Sequence, residues 1–161
     1  MNNLEDAILR EIEGGKYYRE QAEENKDNTL NMVFLSLAKD EDKHAEILQK
    51  KAKKLSYEFK KSEILSNLKV DFNNFKENKI ESPIVIKQLE AYKIAIQNER
   101  QSIQLYENFL SEANNDRDRK LFEYLIIQEK EHFSILEELI HLISRTDEWV
   151  ESAEFGIREE Y

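Results

Sequence analysis

The sequence predicts an all-α protein: a four-helix bundle made of two helical hairpins joined by a long crossover connection. Three observations carry that reading. Four long segments repeat their apolar residues at alternating steps of three and four, the period of a helix face. The 161 residues include three glycines and one proline, too little turn chemistry for an all-β fold, which needs a turn every ~8–12 residues. The chain is 36% charged and 40% hydrophobic, with a mean hydropathy of −0.76, which suits long amphipathic helices around one modest core.

The first helix is expected from about Leu4 to Glu24, with an inward stripe of Leu4, Ile8, Glu11, Gly15, Tyr18 and Ala22. The second starts near Leu30, with Asn28 or Thr29 as N-cap, and fades near Leu55. Its stripe is Leu30, Phe34, Leu37, Glu41, His44 and Leu48. The stretch 56–81 is polar and weakly periodic, and reads as a crossover with some helix of its own. The third helix is expected from Pro83 to Ala113, with Ser82 as cap and a stripe of Leu89, Tyr92, Ile96, Glu99, Ile103, Tyr106 and Leu110. The fourth follows the turn Asn114–Asn115–Asp116 and ends near Ser144, with a stripe of Phe122, Leu125, Glu129, His132 and Leu136. Residues 1–144 thus form the bundle, and 145–161 a C-terminal tail. The tail holds one short helix, Glu148 to Phe155, stopped by Gly156. Trp149 and Phe155 should dock it on its own bundle or on a second copy, which makes a homodimer natural.

Each stripe carries a glutamate where an apolar residue belongs, and these glutamates belong to a repeat. A shift of 88 residues, without a gap, lays the first helix pair on the second. Glu11 falls on Glu99, Tyr18 on Tyr106, Phe34 on Phe122, Leu37 on Leu125, Glu41 on Glu129, His44 on His132 and Leu48 on Leu136. In both halves the lone glutamate stands 30 residues before the glutamate of a Glu-x-x-His.

Burying four carboxylates and two imidazoles together costs several kcal/mol for each uncompensated ion, and the carboxylates would repel until some took up protons. Two divalent cations cancel four carboxylate charges, and neutral histidines complete their shells. Glutamate and histidine at i and i+3 share a helix face and can reach one metal. This is the ligand set of ferritin-like di-iron and di-manganese bundles. Glu11, Glu41, His44, Glu99, Glu129 and His132 are therefore the candidate metal ligands and, through the metals, the candidate catalytic residues. Glu13 replaces Glu11 if the helix register is shifted. The alternatives are a bundle whose Glu and His pair internally and a site that has lost its metal. Tyr18 and Tyr106, two turns from their glutamates, are either core residues or hydrogen-bond partners of the ligands. Gly15 on the seam leaves room near the site. His141 reads as an ordinary helix-end histidine. Glu13, Glu123, Glu131 and the lysines of 50–54 and 60–61 read as solvated charges.

The formal net charge of −10 and the sequence pI near 4.9 repel nucleic acid and anionic membranes and favour cations. The absence of cysteine excludes disulfides, Fe–S clusters and thiolate zinc sites. Met1 to Arg10 lacks the basic-then-apolar pattern of a signal peptide, and no apolar run reaches ~20 residues. A soluble cytoplasmic protein with neither nucleic acid nor membrane as partner is expected.

The segments Glu11–Ile–Glu–Gly–Gly–Lys–Tyr–Tyr18 and Glu99–Arg–Gln–Ser–Ile–Gln–Leu–Tyr106 resemble the paired glutamate helices of rubrerythrins. Ala38–Lys–Asp–Glu–Asp–Lys–His44 and Ile127–Gln–Glu–Lys–Glu–His132 resemble their Glu-x-x-His helices. The resemblance covers about residues 1–143. It implies a ferritin-like four-helix bundle with two iron ions, manganese or a mixed pair being the other options. It further implies Glu41 and Glu129 as bridging ligands, Glu11 and Glu99 as terminal carboxylates, and His44 and His132 as terminal nitrogen ligands. The implied activity is reduction of hydrogen peroxide, or of oxygen, in protection against oxidative stress. A ferritin-type ferrous-iron oxidase or storage subunit is the second reading, and a non-catalytic metal-binding or structural bundle the third. Two departures stand out. Rubrerythrins usually carry a cysteine-ligated rubredoxin domain, which a chain without cysteine lacks, so electrons must come from a separate donor protein. They also carry a further glutamate about one turn after the first on helix three, where this chain has Gln101, Ser102 and Ile103.

Overall fold

The computed structural model describes residues 3–27, 30–59, 62 and 82–154, with side chains described for 3–27, 30–59, 62 and 88–142. Four helices follow in order: α1 Leu4–Glu24, α2 Leu30–Ala52, α3 Ser82–Glu112 and α4 Asp116–Glu154. No strand occurs among the described residues. The expected caps at Asn28 or Thr29, and nearly all of the crossover, lie outside them.

The helix ends follow from local chemistry. Asn3 caps α1: its Oδ1 accepts from the Asp6 amide at 3.0 Å, while Asp6 Oδ2 accepts from the Asn3 amide at 3.1 Å, a reciprocal capping box. Asn115 caps α4 with its side chain alone: its Oδ1 accepts from the Asp118 amide at 2.8 Å and its Nδ2 donates to Asp118 Oδ2 at 3.2 Å. At the end of α2, Lys54 takes the left-handed conformation (φ 59°). The Leu55 amide donates to the Lys50 carbonyl at 2.8 Å and the Lys54 amide to that of Lys51 at 3.0 Å. This is a Schellman end, with lysine in the place usually held by glycine. It closes α2 at Ala52, three residues before the expected Leu55.

One helix differs from expectation more substantially. α4 does not end near Ser144 but runs unbroken to Glu154, absorbing most of the short helix expected at 148–155. The polar run Ser144–Arg145–Thr146–Asp147 contains neither proline nor glycine. Polar residues of ordinary propensity, each costing at most ~0.7 kcal/mol relative to alanine, do not stop a helix already propagating. The docking expected of Trp149 and Phe155 concerns side chains outside the described residues.

α1 packs along α2 and α3 along α4, while the two hairpins stand further apart and meet through side chains. Two apolar plugs, each built from all four helices, close the interior. One holds Tyr18, Phe34, Leu37, Tyr92, Ala95 and Leu136 among others. The other holds Ala7, Leu48, Leu105, Tyr106, Phe122 and Leu125. The 88-residue shift exchanges the plugs: the stacked pair Tyr18–Phe34 (6.2 Å between ring centroids) corresponds to the stacked pair Tyr106–Phe122 (6.4 Å). On α3 the buried face is rotated slightly from the expected stripe. Ala95, Ser102 and Leu105 are buried, whereas Ile96 and Ile103 are only partly so. Among the described residues no helix is long and apolar enough to cross a membrane.

Candidate metal centre

Between the two plugs lies a buried polar layer. Glu11, Glu41, Glu99 and Glu129 are at most 4% exposed, and His44 and His132 are 0% exposed. Their ligand atoms form two overlapping groups, each with all atoms within 4.8 Å of one another: Glu11, Glu41, His44 and Glu129; and Glu41, Glu99, Glu129 and His132. Glu41 and Glu129 belong to both. All six candidate ligands are brought together, one from each of α1 and α3 and a Glu-x-x-His pair from each of α2 and α4. Glu13 is exposed, as are Glu123 and His141.

Both imidazoles turn Nδ1 inward. His44 Nδ1 lies 2.9 Å from Glu129 Oε1 and 3.5 Å from Glu11 Oε2. His132 Nδ1 lies 2.9 Å from Glu41 Oε1 and 3.4 Å from Glu99 Oε1. The outward nitrogens reach across to the other hairpin. His44 Nε2 is 3.2 Å from Gln128 Oε1, and His132 Nε2 is 2.9 Å from Asp40 Oδ2, which also accepts from Ser62 Oγ at 2.5 Å. Each Nε2–H is thereby held outward and Nδ1 left to the cluster. The tyrosines also cross over: the Tyr18 hydroxyl donates to Glu99 Oε1 at 2.5 Å, and the Tyr106 hydroxyl to Glu11 Oε1. Hydrogen bonding to the opposite hairpin, as well as packing, is therefore the role of both tyrosines. Their own ionisation is pushed well up by burial and by the neighbouring carboxylates.

The electrostatics show what the cluster lacks. Burial, with the charges of Glu11 and Glu99, pushes Glu41 well above the usual carboxylate range. Burial and the charges of Glu11, Glu41 and Glu99 do the same to Glu129. For Glu11 burial acts upward, but hydrogen bonding with Glu41, the adjacent His44 and the Tyr106 hydroxyl outweighs it and holds the group at about 2. Glu99 is likewise lowered against its burial, by Glu129, His132 and Tyr18. Burial pulls His132 down, but the carboxylates of Glu99, Asp40 and Glu129 push it well up. Ionisation is thus favoured at Glu11 and Glu99 and disfavoured at the two shared carboxylates, Glu41 and Glu129.

Glu11 Oε2, His44 Nδ1, Glu99 Oε2 and both Glu129 oxygens are buried without a hydrogen-bond partner. Buried polar atoms are rarely left unpaired. These converge on one another, with His44 Nδ1 and Glu129 Oε1 2.9 Å apart but not aligned as a hydrogen bond. Oxygen and imidazole donors converging in this way fit divalent iron or manganese.

Gly14, rather than Gly15, makes room at the cluster. A Cβ on Gly14 would meet Glu41 Oε2 at 3.4 Å, whereas one on Gly15 would meet Asp42 Oδ1 at 2.7 Å, so Gly15 serves the close approach of α1 to α2. Beside Gly14 a cavity of about 240 Å³ opens between α1 and α3, lined by Arg10, Tyr17, Glu41, Asn98, Glu99 and Ser102 among others. At its mouth Arg10 Nε donates to Ser102 Oγ at 3.1 Å and Nη2 to Gln101 Oε1 at 2.7 Å. A larger depression of about 350 Å³ beside Lys43 and Tyr57 shares no residue with the cluster.

Sequence reasoning missed Asp40 and Gln128, the outward partners of the two histidines. A signal was present: each immediately precedes the glutamate of a Glu-x-x-His, and they stand 88 residues apart. Arg10 left no such signal, because its partners lie on another helix.

No individual curated protein and no solved structure matches the chain. The family model described as rubrerythrin matches residues 2–140, a span that contains all four helices' cluster residues, and the chain belongs to the rubrerythrin family.

Proposed function

We propose that this chain is a non-haem di-iron oxidoreductase that reduces hydrogen peroxide, with electrons from a separate donor protein. The observation that carries the reading is the pair of overlapping ligand groups sharing Glu41 and Glu129. Two cations held there would share Glu41 and Glu129 as ligands. Glu11 and His44 would complete one position, Glu99 and His132 the other. An iron pair bound there would supply two electrons together and contacts for both oxygens of an O–O bond.

The chain's own residues provide the rest. Tyr18 and Tyr106 hold the terminal carboxylates by hydrogen bonds from the opposite hairpin. The apolar plugs keep bulk water away from both ends of the cluster. The cavity beside Gly14 reaches Glu41 and Glu99 and admits a molecule as small as peroxide. Glu41 and Glu129, whose ionisation burial and the neighbouring carboxylates disfavour in the metal-free protein, would ligate in their deprotonated form. A homodimer in the cytoplasm is part of the same proposal.

One observation favours the ferrous-oxidase reading. Rubrerythrins carry a further glutamate about one turn after the first on helix three; in that neighbourhood, Gln101, Ser102 and Ile103, this chain has no carboxylate, and Gln101 and the buried Ser102 accept hydrogen bonds from Arg10. Stopped-flow mixing of the anaerobic di-ferrous protein with each oxidant separates the two. Faster reaction with peroxide is expected, and a rate constant for oxygen equal to or above it supports the iron oxidase instead.

A further inference from the structure

The 88-residue repeat relates almost every group of the cluster to an identical one. Glu11 corresponds to Glu99, Tyr18 to Tyr106, Glu41 to Glu129 and His44 to His132. The hydrogen bonds obey the same relation, each tyrosine serving the other half's glutamate and each histidine reaching the other half's residue 40 or 128. The relation breaks at that last pair. His132 donates to the carboxylate of Asp40 at 2.9 Å, while His44 faces the amide oxygen of Gln128 at 3.2 Å. Asp40 is 4% and Gln128 5% exposed, so neither is screened by bulk water. Asp40 is further fixed by the Ser62 hydroxyl, on the same oxygen that receives His132.

A carboxylate behind an imidazole places negative charge on the far side of the ring and makes the metal-facing nitrogen a stronger donor. A neutral amide fixes the ring's orientation but adds no charge. Partners of this kind typically change metal affinity 10–100-fold. Because the remaining ligands are matched in type, this difference is not offset elsewhere in the ligand set.

We propose that the two metal positions are unequal: the one completed by Glu99 and His132, backed by Asp40, takes a divalent cation first, and the one completed by Glu11 and His44, backed by Gln128, fills second. Asp40 and Gln128 act as positioning residues that set the order of loading, and the inference rests on the dinuclear reading above.

Anaerobic titration of the metal-free protein with Co(II) tests it. Ligand-field absorption reads stoichiometry, and the hyperfine-shifted Nε2–H proton resonances of the two histidines read which position fills. In the parent, two steps separated by tenfold or more are expected, with the His132 proton shifted in the first. Asp40→Asn, which keeps shape and removes charge, should bring the steps together. Gln128→Glu, also of matching size, should tighten the second step, a gain that misfolding does not produce. The double variant Asp40→Asn/Gln128→Glu should shift the His44 proton first. Two equal steps in the parent, or an order unmoved by these variants, would overturn the inference while leaving the dinuclear reading intact. Binding of no cobalt, or of a single cobalt, would overturn both.

Discussion

Glu129→Gln tests the electrostatic account most directly, because it should improve the metal-free fold and damage the metal site together. In the cluster, Glu129 oxygens lie within 4.8 Å of ligand atoms from Glu11, Glu41 and Glu99. One pair of unit charges at 4.8 Å repels by about 3 kcal/mol at an effective dielectric constant of ~20. Glu11 and Glu99 are held ionised, and their charges, with burial, favour the protonated form of Glu129, which relieves the repulsion. That relief reduces the strain without abolishing it, and an isosteric amide should recover about 2 kcal/mol at neutral pH, less than one such pair. For a chain of this size that raises the metal-free melting temperature by about 4–8 °C. The gain must depend on pH. Glu129 has a folded-state pKa above its unfolded value of about 4.3, so the metal-free native state binds the extra proton and loses stability as pH rises above that value. The advantage of the glutamine should therefore be near zero at pH 4 and grow through neutrality. Glu129 also belongs to both ligand groups, so metal stoichiometry should fall below two. Differential scanning calorimetry in a chelator, followed by anaerobic ferrous titration with metal analysis, reads both. A metal-free variant melting at or below the parent, or one binding two irons at parental affinity, would refute the reasoning.

Two further substitutions probe the surroundings. Tyr106→Phe removes the hydroxyl donor to Glu11. Affinity for the metal completed by Glu11 and His44 should fall about tenfold, with a stability loss of about 1–2 kcal/mol, measured by cobalt titration and chemical denaturation. Gly14→Val adds branches to a Cβ position already 3.4 Å from Glu41 Oε2 and crowds the cavity. The di-ferrous protein should bind two irons yet react with peroxide roughly tenfold more slowly, in line with the sensitivity of rates to displacements of ~1 Å; unchanged stopped-flow traces would mean the oxidant enters elsewhere.

Much of this protein is determined by local pattern. Helix periodicity and the scarcity of glycine and proline define four helices, and short loops fold them into two hairpins. The glutamates and Glu-x-x-His motifs, out of place on apolar stripes and repeated 88 residues apart, mark the six residues that the bundle gathers. These properties are legible because they depend on neighbours three or four positions away on one helix face. The run of α4 through Ser144 was not, since a weak polar stretch carries no stop signal and propagation decides. The register of α3 also escaped, because Ala95 and Ser102 are buried by what faces them. Three features arise only when the hairpins come together. The tyrosines exchange hydrogen bonds with glutamates about 80 to 95 positions away. Arg10 reaches Ser102 from α1. Asp40 and Gln128 back histidines of the opposite half, one with a charge and one without. Side-chain identities and spacings state which donors exist. Which donor faces which acceptor across the gap between hairpins is set by tertiary packing, and that pairing decides where charge and protons reside in the centre.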